Sequence, residues 1–171
     1  MKTKILVSAC LMGHPVRYNG SAKAQLSAQL RQWRDEERLV IHCPELAAGL
    51  TTPRLPAEIV GGEGGDVLAG KARIIESDGS DVSAQYQLAG WLALRTAQEH
   101  GCRAALLTDG SPTCGSLRVY DGSFSQQRRA GMGIATALLR QHGIVVFAEN
   151  QIAELIAWLE EQEHDSVQTG V

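Results

Sequence analysis

"HGCRAALLTDGSPTCGS", residues His100 to Ser116, holds in one line the unit from which this chain is built. A helical pattern before it stops at Gly101, as helices commonly do at a glycine just past the last turn. "CRAALLT" is then a short, almost unbroken apolar run, which reads as a core strand. Asp109-Gly110 ends the run, and a cysteine follows in the loop. The same unit recurs further on, where a helix closes at His142-Gly143 and the apolar run "IVVFAE" begins. "KILVSAC" near the start and "LVIHCPE", ended by Pro44, are two more runs of this kind.

Between these runs the pattern is helical. Ser21 is placed to cap a helix reaching about Arg38, with Leu26, Leu30 and Trp33 on one face. A second helix runs from about Ser83 to His100, its stripe made by Tyr86, Ala89, Leu92, Ala93 and Ala97. A third spans Gly131 to His142. Asn150 caps a last one, with Ile152, Leu155, Ile156 and Leu159 inward. Trp33, Trp91 and Trp158 all read as core. The alternation of strands and helices predicts a Rossmann-like α/β fold, a parallel sheet with helices on both faces. A single domain is expected over 1–163, with a flexible tail over 164–171. The stretch from Leu46 to Gly70 reads as one long connection, of the length that is usually functional or mobile. "ARIIESDGSDVS" offers a small strand before a turn, and "GSLRVYDGSF" a small hairpin or arm turning at Asp121-Gly122.

Composition sets bounds on function. The chain has 171 residues, 44% hydrophobic and 20% charged, with a net charge of −3. That is an ordinary globular mixture, and the charge argues against nucleic acid or an anionic membrane as partner. No apolar run approaches the ~20 residues that span a bilayer. "VSAC" resembles a lipoprotein cleavage box, but the apolar stretch before Cys10 is shorter than the ~7–15 residues of a leader. The reading is a cytoplasmic protein, in which the four cysteines Cys10, Cys43, Cys102 and Cys114 remain reduced.

Three of those cysteines fall at one rim. In open parallel sheets, ligands bind beyond the carboxyl ends of the strands. Cys10 ends the first core run, Cys43 ends the second, and Cys114 lies just past the third. Cys102 opens the third run instead, about 20 Å away at the opposite rim, and reads as a small buried thiol. Converging thiols suggest a soft metal or a cluster. An iron–sulfur cluster with one open iron is one choice. Zinc on three thiolates is another, serving a hydrolase or deaminase, with His14 or His42 as fourth ligand. His42 alternates to the other face from Cys43 and is the poorer of the two. Simple packing of the cysteines is the third choice. Arg17, Arg54 and Arg118 lie in loops near this rim, where arginines are exposed or can meet a phosphate or ribose. "GGEGG" lacks the Lys-Ser/Thr of a phosphate loop.

Four separated motifs then carry a resemblance. "SACLMGHPVRYNG" (Ser8 to Gly20), "CPELAAGLTTPRLPAEI" (Cys43 to Ile59), "DGSPTCGS" (Asp109 to Ser116) and "VYDGSFS" (Val119 to Ser125) together resemble the bacterial thiouracil desulfurase family, from about Lys4 to Glu149. The resemblance implies a single α/β domain holding a [4Fe–4S] cluster through Cys10, Cys43 and Cys114. It implies an open iron that binds the sulfur of a small thiolated pyrimidine, 2-thiouracil or 4-thiouracil or a nucleoside, and releases it as hydrogen sulfide without net redox change. On it, Glu45 of the C-P-E motif becomes a general base, where by itself it reads as a solvated loop carboxylate. Ser111 becomes a hydrogen-bond or proton donor to the ring, where by itself it reads as a turn cap. Thr113 stands where serine is common, a change between small hydroxyl residues. "TDG" precedes Ser111, where relatives often carry Lys or Glu.

Overall fold

A computed structural model describes residues 3–9, 11, 20–50 and 55–168. Strands β1 (Lys4–Ser8), β2 (Leu39–His42), β5 (Cys102–Leu107) and β8 (Val145–Ala148) form one sheet in the order β2-β1-β5-β8. All its pairings are parallel. The register sets Ser8 opposite His42 and Leu107 opposite Ala148, so the carboxyl ends lie level. The chain moves from β1 to β2 on one side and then crosses to β5 on the other. The order of strands therefore reverses between β1 and β5, the place where such sheets leave a crevice.

Alternation along each strand feeds two cores. Ile5, Val7, Ala104 and Leu106 face helices α1 (Gly20–Asp35) and α6 (Ile152–Gln168), which supply Leu26, Leu30, Trp33, Leu155 and Leu159. Leu6, Ala105, Leu107 and Val146 face α4 (Ser83–Glu99) and α5 (Ile134–Gln141), through Tyr86, Ala93, Leu94, Ile134 and Leu138. Each large side chain buried this way contributes about 1.5–3 kcal/mol. Gly101 (φ 67°) and Gly143 (φ 81°) turn α4 and α5 back into β5 and β8 through the left-handed region that glycine enters freely.

Several expectations need correction. Trp91 is not core but 50% exposed. Tyr86, Ala89, Gly90, Ala93, Leu94 and Ala97 form the buried stripe of α4, and one residue past Gly90 the helix has turned about 100° away. A Cβ at Gly90 would sit 2.4 Å from Ile134 Cγ2, so that face admits only a glycine against α5. Trp158 and Ile156 are partly buried at the edge of the other core, and Leu92 is half-buried. Leu46 to Gly70 is not one long connection: it contains the end of α2 (Pro44–Ala47), β3 (Ala57–Val60) and α3 (Gly64–Leu68). β3 pairs antiparallel with β4 (Arg73–Glu76), the strand expected in "ARIIES". Helix α5 begins at Ile134, with Gly133 as its N-cap. Asn150 does not cap α6: it sits inside a 3-10 turn, Glu149–Gln151, where Gln151 Oε1 accepts from the Ala148 N–H at 2.9 Å. Helix α6 spans Ile152–Gln168. The side chain of Ser21 lies outside the described residues.

Candidate functional site

The S-P-T-C loop lies over the carboxyl ends of β1 and β5. Ser8, the last residue of β1, accepts from the Thr108 N–H at 3.1 Å. Its hydroxyl approaches Cys114 Sγ at 3.9 Å. Cys114 is buried, at 7% exposure. Cys43 follows β2 directly, is half-buried, and serves as N-cap of α2. Because β2 and β5 flank β1 in parallel and in near register, Cys43 and Cys114, carried by distant parts of the sequence, follow strands that end at the same rim. Cys10, His14, Arg17 and Arg54 lie outside the described residues. Among the described residues no three His, Cys, Asp or Glu side chains group to hold a metal ion. The two described thiols at the rim, Cys43 half-buried and Cys114 buried, are soft donors of the kind that suits iron or zinc. Cys102 stands at the other end of β5, paired with Lys4. Burial pushes its thiol up to about 11, so it remains protonated and inert.

The cysteine loop is held from several sides. Helix α5 points its first N–H groups at it: Gly133, Ile134 and Ala135 donate to the carbonyls of Gly115, Pro112 and Thr113 at 2.8, 2.8 and 2.9 Å. The Thr136 hydroxyl donates to the Cys114 carbonyl at 3.1 Å. Helix ends require partners for these N–H groups, and here the cysteine loop supplies them. From the other side, Asp109 Oδ1 accepts from Ser116, Leu117 and Arg118 N–H at 2.9, 3.1 and 3.2 Å. Glu149, just past β8, accepts from the Asp109 N–H at 2.8 Å. Burial, foremost, pushes the Glu149 carboxyl above the usual carboxylate range.

Glu45 lies in the first turn of α2. Its Oε1 accepts from the Thr113 hydroxyl at 3.0 Å, which ties the C-P-E motif to the S-P-T-C motif. Thr113 is fully buried, at 0% exposure; a small hydroxyl is what this contact needs, and threonine supplies it as serine would. Ser111 Oγ accepts from the Cys114 N–H at 2.8 Å. That is a turn-capping bond, and it leaves the hydroxyl proton for another acceptor.

Ser111 also lines a cavity of about 770 Å³, together with Glu58, Tyr120, Phe124, Gln126 and Arg128. Strands β6 (Arg118–Tyr120) and β7 (Arg128–Ala130) form the expected hairpin, although its connection spans all of 121–127. Arg128 donates to the Tyr120 hydroxyl at 3.3 Å and lies 5.1 Å from the centroid of its ring. Arg118 is exposed. His42 is half-buried, and its Nε2 has no hydrogen-bond partner among the described residues. Burial pulls its pKa below the ordinary value.

Sequence reasoning did not reach Ser8, Asp109, Glu149 or Glu58. The aspartate was written in plain view, since Asp-Gly after an apolar run is a turn signal. The other three are polar residues within or beside strands, and no spacing rule marks them.

Comparison with known proteins covers most of the chain. A model described as 2-thiouracil desulfurase matches residues 5–151. The Bacillus subtilis (strain 168) protein YbbK, described only as uncharacterized, is 44% identical over 152 residues, 89% of this chain and 99% of its own length. A solved structure of a [4Fe–4S]-dependent thiouracil desulfidase, TudS, is 45% identical and aligns with a TM-score of 0.78, over 93% of this chain and 99% of its own.

Proposed function

The chain belongs to the 2-thiouracil desulfurase family, and from that premise we propose that it removes sulfur from thiolated pyrimidines by hydrolysis. The thiocarbonyl carbon gains the oxygen of water, the C–S bond breaks, and sulfur leaves as hydrogen sulfide. Nothing is oxidised or reduced. The substrates are 2-thiouracil and 4-thiouracil or their nucleosides, small molecules rather than RNA, and the reaction belongs in a reducing cytoplasm. No helix of the described residues is long and apolar enough to cross a membrane.

Cys10, Cys43 and Cys114 would hold the [4Fe–4S] cluster. When bound, it supplies a Lewis-acidic iron for the substrate sulfur. The rest of the work falls to side chains. Glu45 accepts a proton from the attacking water as general base. Its bond from Thr113 keeps one carboxylate oxygen directed at the cysteine loop. Ser111 donates its remaining proton to the ring and orients it. Asp109 and the first turn of α5 keep the loop from shifting, and positional accuracy of this kind is a large part of catalysis.

One observation supports this reading: the 3.0 Å bond between Thr113 and Glu45 ties the carboxylate proposed as base to the loop that carries Cys114. The test is cluster reconstitution without oxygen, followed by sulfide release from 2-thiouracil and 4-thiouracil. Turnover is expected, with Glu45→Gln slower by roughly 10²–10⁴-fold and Cys10→Ser, Cys43→Ser and Cys114→Ser each inactive. A colourless protein holding zinc, or a Cys43→Ser variant with full activity, overturns it.

A further inference from the structure

The connection between β6 and β7 is built in an expensive way. Gly122 (φ 91°), Phe124 (φ 57°) and Gln126 (φ 62°) all have left-handed backbone. Glycine accepts that conformation, but an L side chain adopts it only when the surroundings compel it. Here the compulsion is visible. Glu58, on β3 and 7% exposed, accepts on one oxygen from the N–H groups of Gly122 at 2.9 Å and Phe124 at 3.2 Å. Two backbone N–H groups donating to one buried side-chain oxygen fix a loop in place. Gly122 itself runs so close to β3 that a Cβ would lie 2.7 Å from the Ile59 carbonyl oxygen. The connection is thus clamped onto β3.

The clamp presents an aromatic ring. Phe124 is 38% exposed and lines the same cavity as Ser111. A single exposed apolar side chain is ordinary on a protein surface. What sets Phe124 apart is that its connection, 121–127, is tied to β3 at Gly122 and at Phe124 itself, and that the ring lies at the wall of the cavity Ser111 lines. A backbone held in a strained conformation to keep an apolar ring at a cavity wall suggests a ligand that covers the ring. A planar heterocycle does so by stacking, which tolerates many bases because each has a π face.

We propose that Phe124 is the surface on which the substrate's pyrimidine ring stacks, and that Glu58 is the positioning residue that holds it there. The proposal deepens the desulfurase reading above and rests on it for the identity of the ring. The test uses cluster-loaded protein and 2-thiouracil. Phe124→Ala is expected to raise KM about ten-fold, the order that one stacked base contributes, while kcat falls by less than about three-fold. Phe124→Tyr keeps a ring and restores KM. Glu58→Ala raises KM similarly and speeds hydrogen exchange at the Gly122 and Phe124 amides. Glu58→Gln, which retains an acceptor oxygen, stays close to wild type in both.

A fall in kcat at constant KM in Phe124→Ala, or a Glu58→Gln as impaired as Glu58→Ala, overturns the proposal. The wild-type protein supplies a further arm that needs no variant to fold. Uracil, the product, is expected to slow exchange across 121–127, and unchanged exchange at saturating uracil overturns the proposal too. Absence of sulfide release from any thiopyrimidine by wild type sinks the desulfurase reading instead, and leaves the exchange result to judge the clamp separately.

Discussion

Glu149 shows how much a single side chain at the sheet's carboxyl edge can tell. It combines partial burial with a bond from the Asp109 N–H at 2.8 Å, and its carboxyl is held above the usual range, chiefly by desolvation. The sign for stability follows from linkage. Well below the ordinary carboxylate pKa, folded and unfolded chains are both protonated. As pH rises, the unfolded chain ionises first, so the folded state binds the extra proton and loses stability until it ionises too. Glu149→Gln keeps an acceptor for Asp109 and removes the charge. Its unfolding midpoint is expected to gain on wild type as pH climbs above 4.5, the ordinary value, and to hold steady once the folded carboxyl has ionised too. Urea titrations across pH 4–8 check this; a constant difference between the two proteins refutes it.

At the scale of elements, the short helix α5 and the S-P-T-C loop are one unit. The loop's carbonyls receive the helix's first N–H groups, and Thr136 adds a side-chain bond to Cys114. Gly133 has no room for a side chain: a Cβ there would lie 2.6 Å from the Pro112 and Thr113 carbonyl oxygens. Two substitutions separate bonding from space. Thr136→Val leaves a buried carbonyl without that donor and costs about 1–3 kcal/mol, with iron content retained. Gly133→Ala pushes backbone against backbone, so the loop must move; loss of iron and of activity is expected together. Thermal unfolding beside iron analysis tests both, and a Gly133→Ala protein with full iron would show that the loop is less constrained than its bonds imply.

For the molecule as a whole, stability rests mainly on the apolar cores, and the candidate site touches them at one point, Cys114. Two apolar cores cover the two faces of the sheet, and of the rim's two described cysteines only Cys114 enters either core. Chelating the iron should therefore abolish sulfide release and leave the far-ultraviolet dichroism spectrum and a cooperative urea transition in place. Collapse of the helical signal on chelation would mean that the cluster is a structural keystone. At the far rim, Arg38, 6% exposed, donates to the Thr3 carbonyl at 3.0 Å and to Glu163 at 2.8 Å, fastening α6 to the start of β1. This is a fastening remote from the chemistry.

Much of this was written in the residues. The apolar runs at Ile5, Leu39, Ala104 and Val145 marked the four sheet strands, because strands covered by helices carry few polar residues, although the edge strand β2 leaves Ile41 50% exposed. The stops at Gly101 and Gly143 marked two helix ends, and the placing of Cys43 and Cys114 at one rim followed from strand direction alone. Local pattern does not report which strand of a sheet neighbours which, nor what a loop rests against. So the β1–β5 crevice, the Thr113–Glu45 contact, the outward turn of Trp91 and the grip of Glu58 on Phe124 were decided only by tertiary structure. Each depends on two segments far apart in the chain, and periodicity sees only one segment at a time.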